Sequence, residues 1–162
     1  MNNNYFGMER YENIYNKLYE SRIITNNNWD FKGWATYYNE LCEDNRILES
    51  GCFDHQNGQI VPLCLNNNHY DSDCILGKCL LEVRKEGIYC YGYFFDLQTP
   101  HLKQIKERLL DGTITDLSIF ANKLKEQKSF DKHIHTKYGI IREVSLTLCG
   151  SNPKAKIEVI QL

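Results

Sequence analysis

A chain of 162 residues with 42% hydrophobic and 12% aromatic side chains has the size and apolar content of one well-filled domain, and two full domains would be cramped. Its 19 Lys and Arg against 21 Asp and Glu leave a net charge of −2, which argues against a basic surface built to grip nucleic acid or an anionic membrane. No run approaches the roughly 20 apolar residues of a membrane-spanning helix, and Met1-Asn2-Asn3-Asn4 lacks the features of a signal peptide, so a soluble intracellular chain is expected.

Residues 8–21 carry Met8, Tyr11, Tyr15 and Leu18 at spacings of three and four with charges between them, which predicts an amphipathic helix. Thr25-Asn26-Asn27-Asn28 stops it. The aromatic-rich run Phe31-Lys32-Gly33-Trp34-Ala35-Thr36-Tyr37-Tyr38 then opens the main domain as a strand. The chain thus divides into a helical extension, residues 1–30, and a domain, residues 31–162. Residues 39–58 read as a turn-prone surface excursion, interrupted by Ile47-Leu48 and Cys52-Phe53. A buried strand at 60–65 ends abruptly at Asn66-Asn67-Asn68-His69, so His69 stands just past a strand end, where loops carry functional groups on a rigid scaffold.

Residues 75–83 and 87–95, joined through Arg84-Lys85-Glu86-Gly87, suit an antiparallel hairpin. Thr99 as N-cap and Pro100 at the first helical position open a helix whose Leu102, Ile105 and Leu109 share one face, until Asp111-Gly112 stops it. Residues 113–120 alternate as a strand with Ser118 inside it. A charged loop is expected at 125–132, a strand at 140–148 and a last one at 155–160. Six or seven short strands with few helices between them predict a mostly β, antiparallel barrel with two or more peripheral helices.

The seven cysteines are Cys42, Cys52, Cys64, Cys74, Cys79, Cys90 and Cys149, with no CxxC pair. An odd number without a secretion signal points to reduced thiols, mostly filler. Three constellations remain as candidate sites. The first is His69, Ser118 and Glu143, each on or beside a strand. The second is a metal site on His133 and His135 with scattered cysteines, since residues i and i+2 share a strand face. The third is Cys64 as nucleophile with His69 as partner, against which stands the apolar run around Cys64. Lys123, Lys125, Lys128 and Lys132 alternate with Glu126 and Asp131 and read as a solvated loop.

The text around the first trio raises it above the others. Gly33-Trp34-Ala35-Thr36-Tyr37-Tyr38-Asn39-Glu40, Glu49-Ser50-Gly51-Cys52-Phe53, Ile75-Leu76-Gly77-Lys78, Gly87-Ile88-Tyr89, Asp116-Leu117-Ser118-Ile119, Glu143-Val144-Ser145-Leu146-Thr147 and Asn152-Pro153-Lys154-Ala155 occur in that order. From Phe31 onward the chain resembles the prohead serine proteases of tailed phages. The resemblance implies a herpesvirus-assemblin-like barrel, with Ser118 as nucleophile, His69 as general base and Glu143 as the acidic third member. It further implies cleavage of the scaffold protein or the scaffold-like region of the major capsid protein, self-cleavage, and a homodimer acting inside the procapsid in the host cytoplasm. No cofactor, nucleic acid or membrane is implied. The chain departs from the family pattern at Phe120, where glycine is usual, at Gly150-Ser151, and at Tyr70 after His69.

These residue types suit acyl transfer. A serine hydroxyl needs a base within hydrogen-bond reach, neutral imidazole is one, and a carboxylate on the other ring nitrogen fixes tautomer and orientation. Arg142, next to Glu143, alternates to the opposite face and has no assigned role. The rival from another class is a non-enzymatic scaffold or capsid-assembly component that has kept the protease fold, to which Phe120 and the altered ending point.

Overall fold

The computed structural model describes residues 28–68, 70–95 and 98–162. The helix expected at 8–21 and the imidazole of His69 both lie outside these residues.

Eight strands form one sheet: β1 (Phe31–Tyr37), β2 (Arg46–Leu48), β3 (Ile60–Leu65), β4 (Ile75–Arg84), β5 (Gly87–Phe94), β6 (Asp116–Lys128), β7 (Ile134–Thr147) and β8 (Ile157–Ile160). Among the described residues there is one α-helix, α1 (Pro100–Leu110). Neighbours run β2-β7-β3-β4-β5-β1-β8, with β6 on the remaining edge of β7. All pairings are antiparallel except those of β2 and β3 with β7. None of the described helices is long and apolar enough to cross a membrane.

Local chemistry accounts for the clearest elements. Arg84 pairs with Gly87, leaving Lys85-Glu86 as a two-residue hairpin turn between β4 and β5. Thr99 Oγ1 accepts the Leu102 N–H at 3.4 Å and Pro100 opens α1. The helix buries Leu102, Ile105 and Leu109 against the same core that receives Ile114. Its stop relies on Gly112, whose φ of 80° is costly for a side chain with a Cβ. Phe31, Leu63, Leu81, Ile88, Leu117 and Leu146 are fully buried in the core.

The sheet curls into a half-barrel, and the start of β6 touches the segment that precedes β8. Leu117 N–H donates to Ala155 O at 2.9 Å and Ile157 N–H to Thr115 O at 2.9 Å, flanking a bridge between Asp116 and Lys156. The start of β6 is thereby held beside the approach to β8.

Three sequence expectations need correction. Residues 39–58 are exposed at many positions but are not surface throughout: they contain β2, which adds an eighth strand, and Cys52 and Phe53 are 0% exposed. Gln56 anchors this segment, its amide donating to Ile141 O at 3.0 Å and accepting the Ile141 N–H at 2.6 Å. Short apolar pairs scattered among turn residues do not show periodicity, so only the tertiary packing reveals them as core. Second, the first half of the charged stretch at 125–132 is strand. β6 runs to Lys128, which pairs with Ile134 while β2 pairs with the other edge of β7, so backbone hydrogen bonds fix the strand and its exposed face carries the charges. Third, β6 begins at Asp116 and β8 at Ile157, two or three residues later than the sequence pattern suggests.

Candidate functional site

Register brings two of the three expected residues onto one surface. Ser118 of β6 lies opposite Ser145 of β7, and Phe120 lies opposite Glu143. On the other edge of β7, Cys64 of β3 pairs with Ser145. Strand alternation puts these side chains on the face away from the core and turns Leu117, Val144 and Leu146 inward. Ser118 is 8% exposed and Glu143 2%. Since Ser118 and Glu143 are diagonal neighbours, their backbones stand about 7–8 Å apart.

A chain of hydrogen bonds spans that diagonal. Asn67 Nδ2 donates to Ser118 Oγ at 3.3 Å, the Asn67 N–H donates to Ser145 Oγ at 2.9 Å, and Ser145 Oγ donates to Glu143 Oε1 at 3.2 Å. Asn67 reaches across β7 because the chain turns sharply where β3 ends. Asn66 and Asn67 both adopt left-handed backbone, φ 52° and 55°, a conformation asparagine tolerates better than other residues with a Cβ. The turn is pinned by Asn66 N–H to Leu146 O at 2.9 Å and by Asn68 N–H to Leu65 O at 3.0 Å.

Below Ser118, Asp116 fixes the start of β6. Its carboxylate accepts from Lys156 Nζ at 2.6 Å, Thr115 Oγ1 at 2.9 Å and the Gly150 N–H at 3.1 Å. Burial pushes the pKa of Asp116 up, but these donors outweigh it and the carboxyl sits below its usual value. Gly150 allows this close approach, since a Cβ there would lie 2.4 Å from Leu117 O. Asn152 ties the same segment to β1, donating to Thr36 Oγ1 at 3.1 Å and Tyr37 O at 2.9 Å.

Beside Ser118 opens a small cleft, lined among others by Ala35, Thr36, Arg46, Leu48, Ile119 and Asn152. Arg46 is balanced there by Asp44 and Glu126, at 2.9 and 2.8 Å. Of the hydrogen-bonded group around Ser118, the serine itself lines this cleft, whose walls are mostly apolar with charged residues at Asp44, Arg46 and Lys123.

The other candidates fare differently. Cys64 is fully buried, and burial, followed by the charge and hydrogen bond of Glu143, pushes its thiol up to about 12. A thiol so raised is a poor nucleophile. His133 Nδ1 meets Asn45 Oδ1 at 2.6 Å, whereas His135 lies between Glu49 and Asp131 at 3.2 and 2.9 Å. No cluster of three or more metal-ligating side chains occurs among the described residues, so the expected grouping of these histidines with cysteines does not form there. Arg142 is exposed and stands unpaired at the bulge where register passes from Phe120–Glu143 to Ala121–Ile141.

Asn67, Ser145 and Asp116 were not singled out by sequence reasoning. Ser145 was detectable in principle, since it lies two residues from Glu143 on the same strand face. Asn67 was not, because its asparagine run reads only as a strand terminator.

No family model matches the chain, and none of the curated proteins does. Among solved structures, KSHV protease in complex with a hexapeptide phosphonate inhibitor is 14% identical, with a TM-score of 0.49, over 78% of this chain and 62% of that one. The chain thus spans somewhat less than two thirds of that neighbour's length, and a likeness of this degree assigns neither family nor chemistry.

Proposed function

We propose that the chain is a serine endopeptidase of phage procapsid maturation, acting on the scaffold protein or the scaffold-like region of the major capsid protein and on itself. Ser118 is the nucleophile, His69 the general base and Glu143 the orienting acid. The protein works as a homodimer inside the procapsid, in the host cytoplasm, without a cofactor. The seam between β6 and the approach to β8 is read as closing an assemblin-like barrel around the core.

One observation carries the reading: Ser118 accepts a hydrogen bond from Asn67, the residue two before His69 in sequence, on the face that also holds Glu143. Two peptide steps span at most about 7 Å, and on this ground the reading takes His69 as the base for the hydroxyl. A diagonal of about 7–8 Å between Ser118 and Glu143 suits a ring accepting from one and donating to the other. In that arrangement His69 takes the Ser118 proton as Oγ attacks the scissile carbonyl, and Glu143 stabilises the imidazolium. His69 then protonates the leaving amine. Water repeats the sequence to release the acyl group.

The test is incubation of the purified protein with its own longer precursor or the cognate scaffold, read by mass spectrometry, alongside Ser118→Ala. Defined cleavage by the parent and none by the alanine variant is expected. Cleavage that persists in Ser118→Ala removes Ser118 from its role. The assembly reading keeps one observation in its favour, the large Phe120 side chain directly opposite Glu143. An inert parent that still binds scaffold would select it.

A further inference from the structure

Attack on a carbonyl leaves a negative oxygen that needs hydrogen-bond donors, and the triad residues supply none. We propose that Asn67 is a catalytic residue whose side-chain amide stabilises this oxyanion, an inference that rests on the protease reading above. The amide nitrogen stands 3.3 Å from Ser118 Oγ, the atom to which the reacting carbonyl carbon becomes bonded. Its carboxamide carries two N–H donors, one of which remains for a second acceptor next to Oγ.

The group is also preorganised. The Asn67 backbone is held on Ser145 Oγ at 2.9 Å, and the flanking Asn66 and Asn68 are held on Leu146 and Leu65. Two consecutive left-handed residues form the turn that aims the amide, and such backbone clusters at functional sites. Asn67 itself is exposed, so its outer edge is open to an incoming molecule. A donor fixed before reaction avoids reorganisation as charge develops.

The step balances without a co-reactant. The Ser118 Oγ lone pair forms the new O–C bond, the carbonyl π pair moves onto oxygen, and the hydroxyl proton passes to His69. Asn67 then donates to the oxyanion. On collapse the C=O re-forms, the C–N bond breaks, and the amine leaves with the proton from His69.

Asn67→Asp and Asn67→Gly test this, because both residues tolerate left-handed backbone and both keep the N–H bonded to Ser145. At saturating cognate scaffold, each variant should cleave about 10²–10³-fold more slowly than the parent, with half-saturation moved less than about threefold. Affinity for a peptide trifluoromethyl ketone, whose adduct carries an oxyanion, should weaken in proportion to kcat/KM. A merely structural tie would shift the unfolding midpoint and leave ketone affinity alone. Saturated rates within about threefold of the parent in both variants, with Ser118→Ala inactive, would overturn the role of Asn67 and leave the protease reading standing. A parent that neither cleaves scaffold nor forms the ketone adduct would overturn both.

Discussion

Ser145 on β7 lies directly across from Ser118 on β6, and its hydroxyl accepts the Asn67 N–H while donating to Glu143. The hydroxyl joins the loop that carries the amide to the strand that carries the acid. Ser145 is 0% exposed, so water cannot replace it. Ser145→Ala should lower unfolding free energy by about 1–3 kcal/mol, the cost of leaving buried polar groups short of a partner, as measured by denaturant titration. An unchanged stability would mean that the network is not held through this hydroxyl.

Asp116 makes stability depend on pH. Its folded pKa lies below the unfolded value, so its contribution is present above about pH 4 and is lost as pH falls through the folded pKa. Asp116→Asn should cost about 1.5–3 kcal/mol at neutral pH, in the range of hydrogen bonds to a charged group. The gap between parent and variant should close as pH drops below about 4. A gap that is constant with pH would show that the loss is steric.

Burial of Cys64 separates serine from thiol chemistry. In the native protein, iodoacetamide should modify exposed Cys149 first and leave Cys64 untouched, and scaffold cleavage should survive the treatment. Peptide mapping by mass spectrometry reads the sites. Alkylation of native Cys64 with loss of activity would reinstate it as nucleophile.

Gly92 packs its bare backbone against the ring of Phe31, where a Cβ would come within 2.1 Å of the ring. Both belong to β1 and β5, which pair at this position. Gly92→Ala should destabilise by about 1–3 kcal/mol through overpacking. Thermal unfolding checks it, and a variant as stable as the parent would show that the ring can move aside.

What could be read from the chain alone was what depends on neighbours in sequence. The hairpin from β4 to β5 is dictated by alternating β-branched and aromatic residues around a two-residue turn, and α1 by Thr99, Pro100 and Gly112. Ser118 and Glu143 stood out through short motifs in order along the chain, and the strand pairing places them on one face of β6 and β7. The tertiary structure decided the rest, because it depends on pairings between remote segments. Backbone pairing with β7 makes strand of the charged run up to Lys128, and packing turns Cys52 and Phe53 from loop residues into core. Asn67 becomes a site residue only because β3 lies parallel to the end of β7, which brings the asparagine turn over Ser145 to Ser118. Local propensity carries no information about such a crossing, since the free energy that selects it comes from burying distant apolar surfaces together.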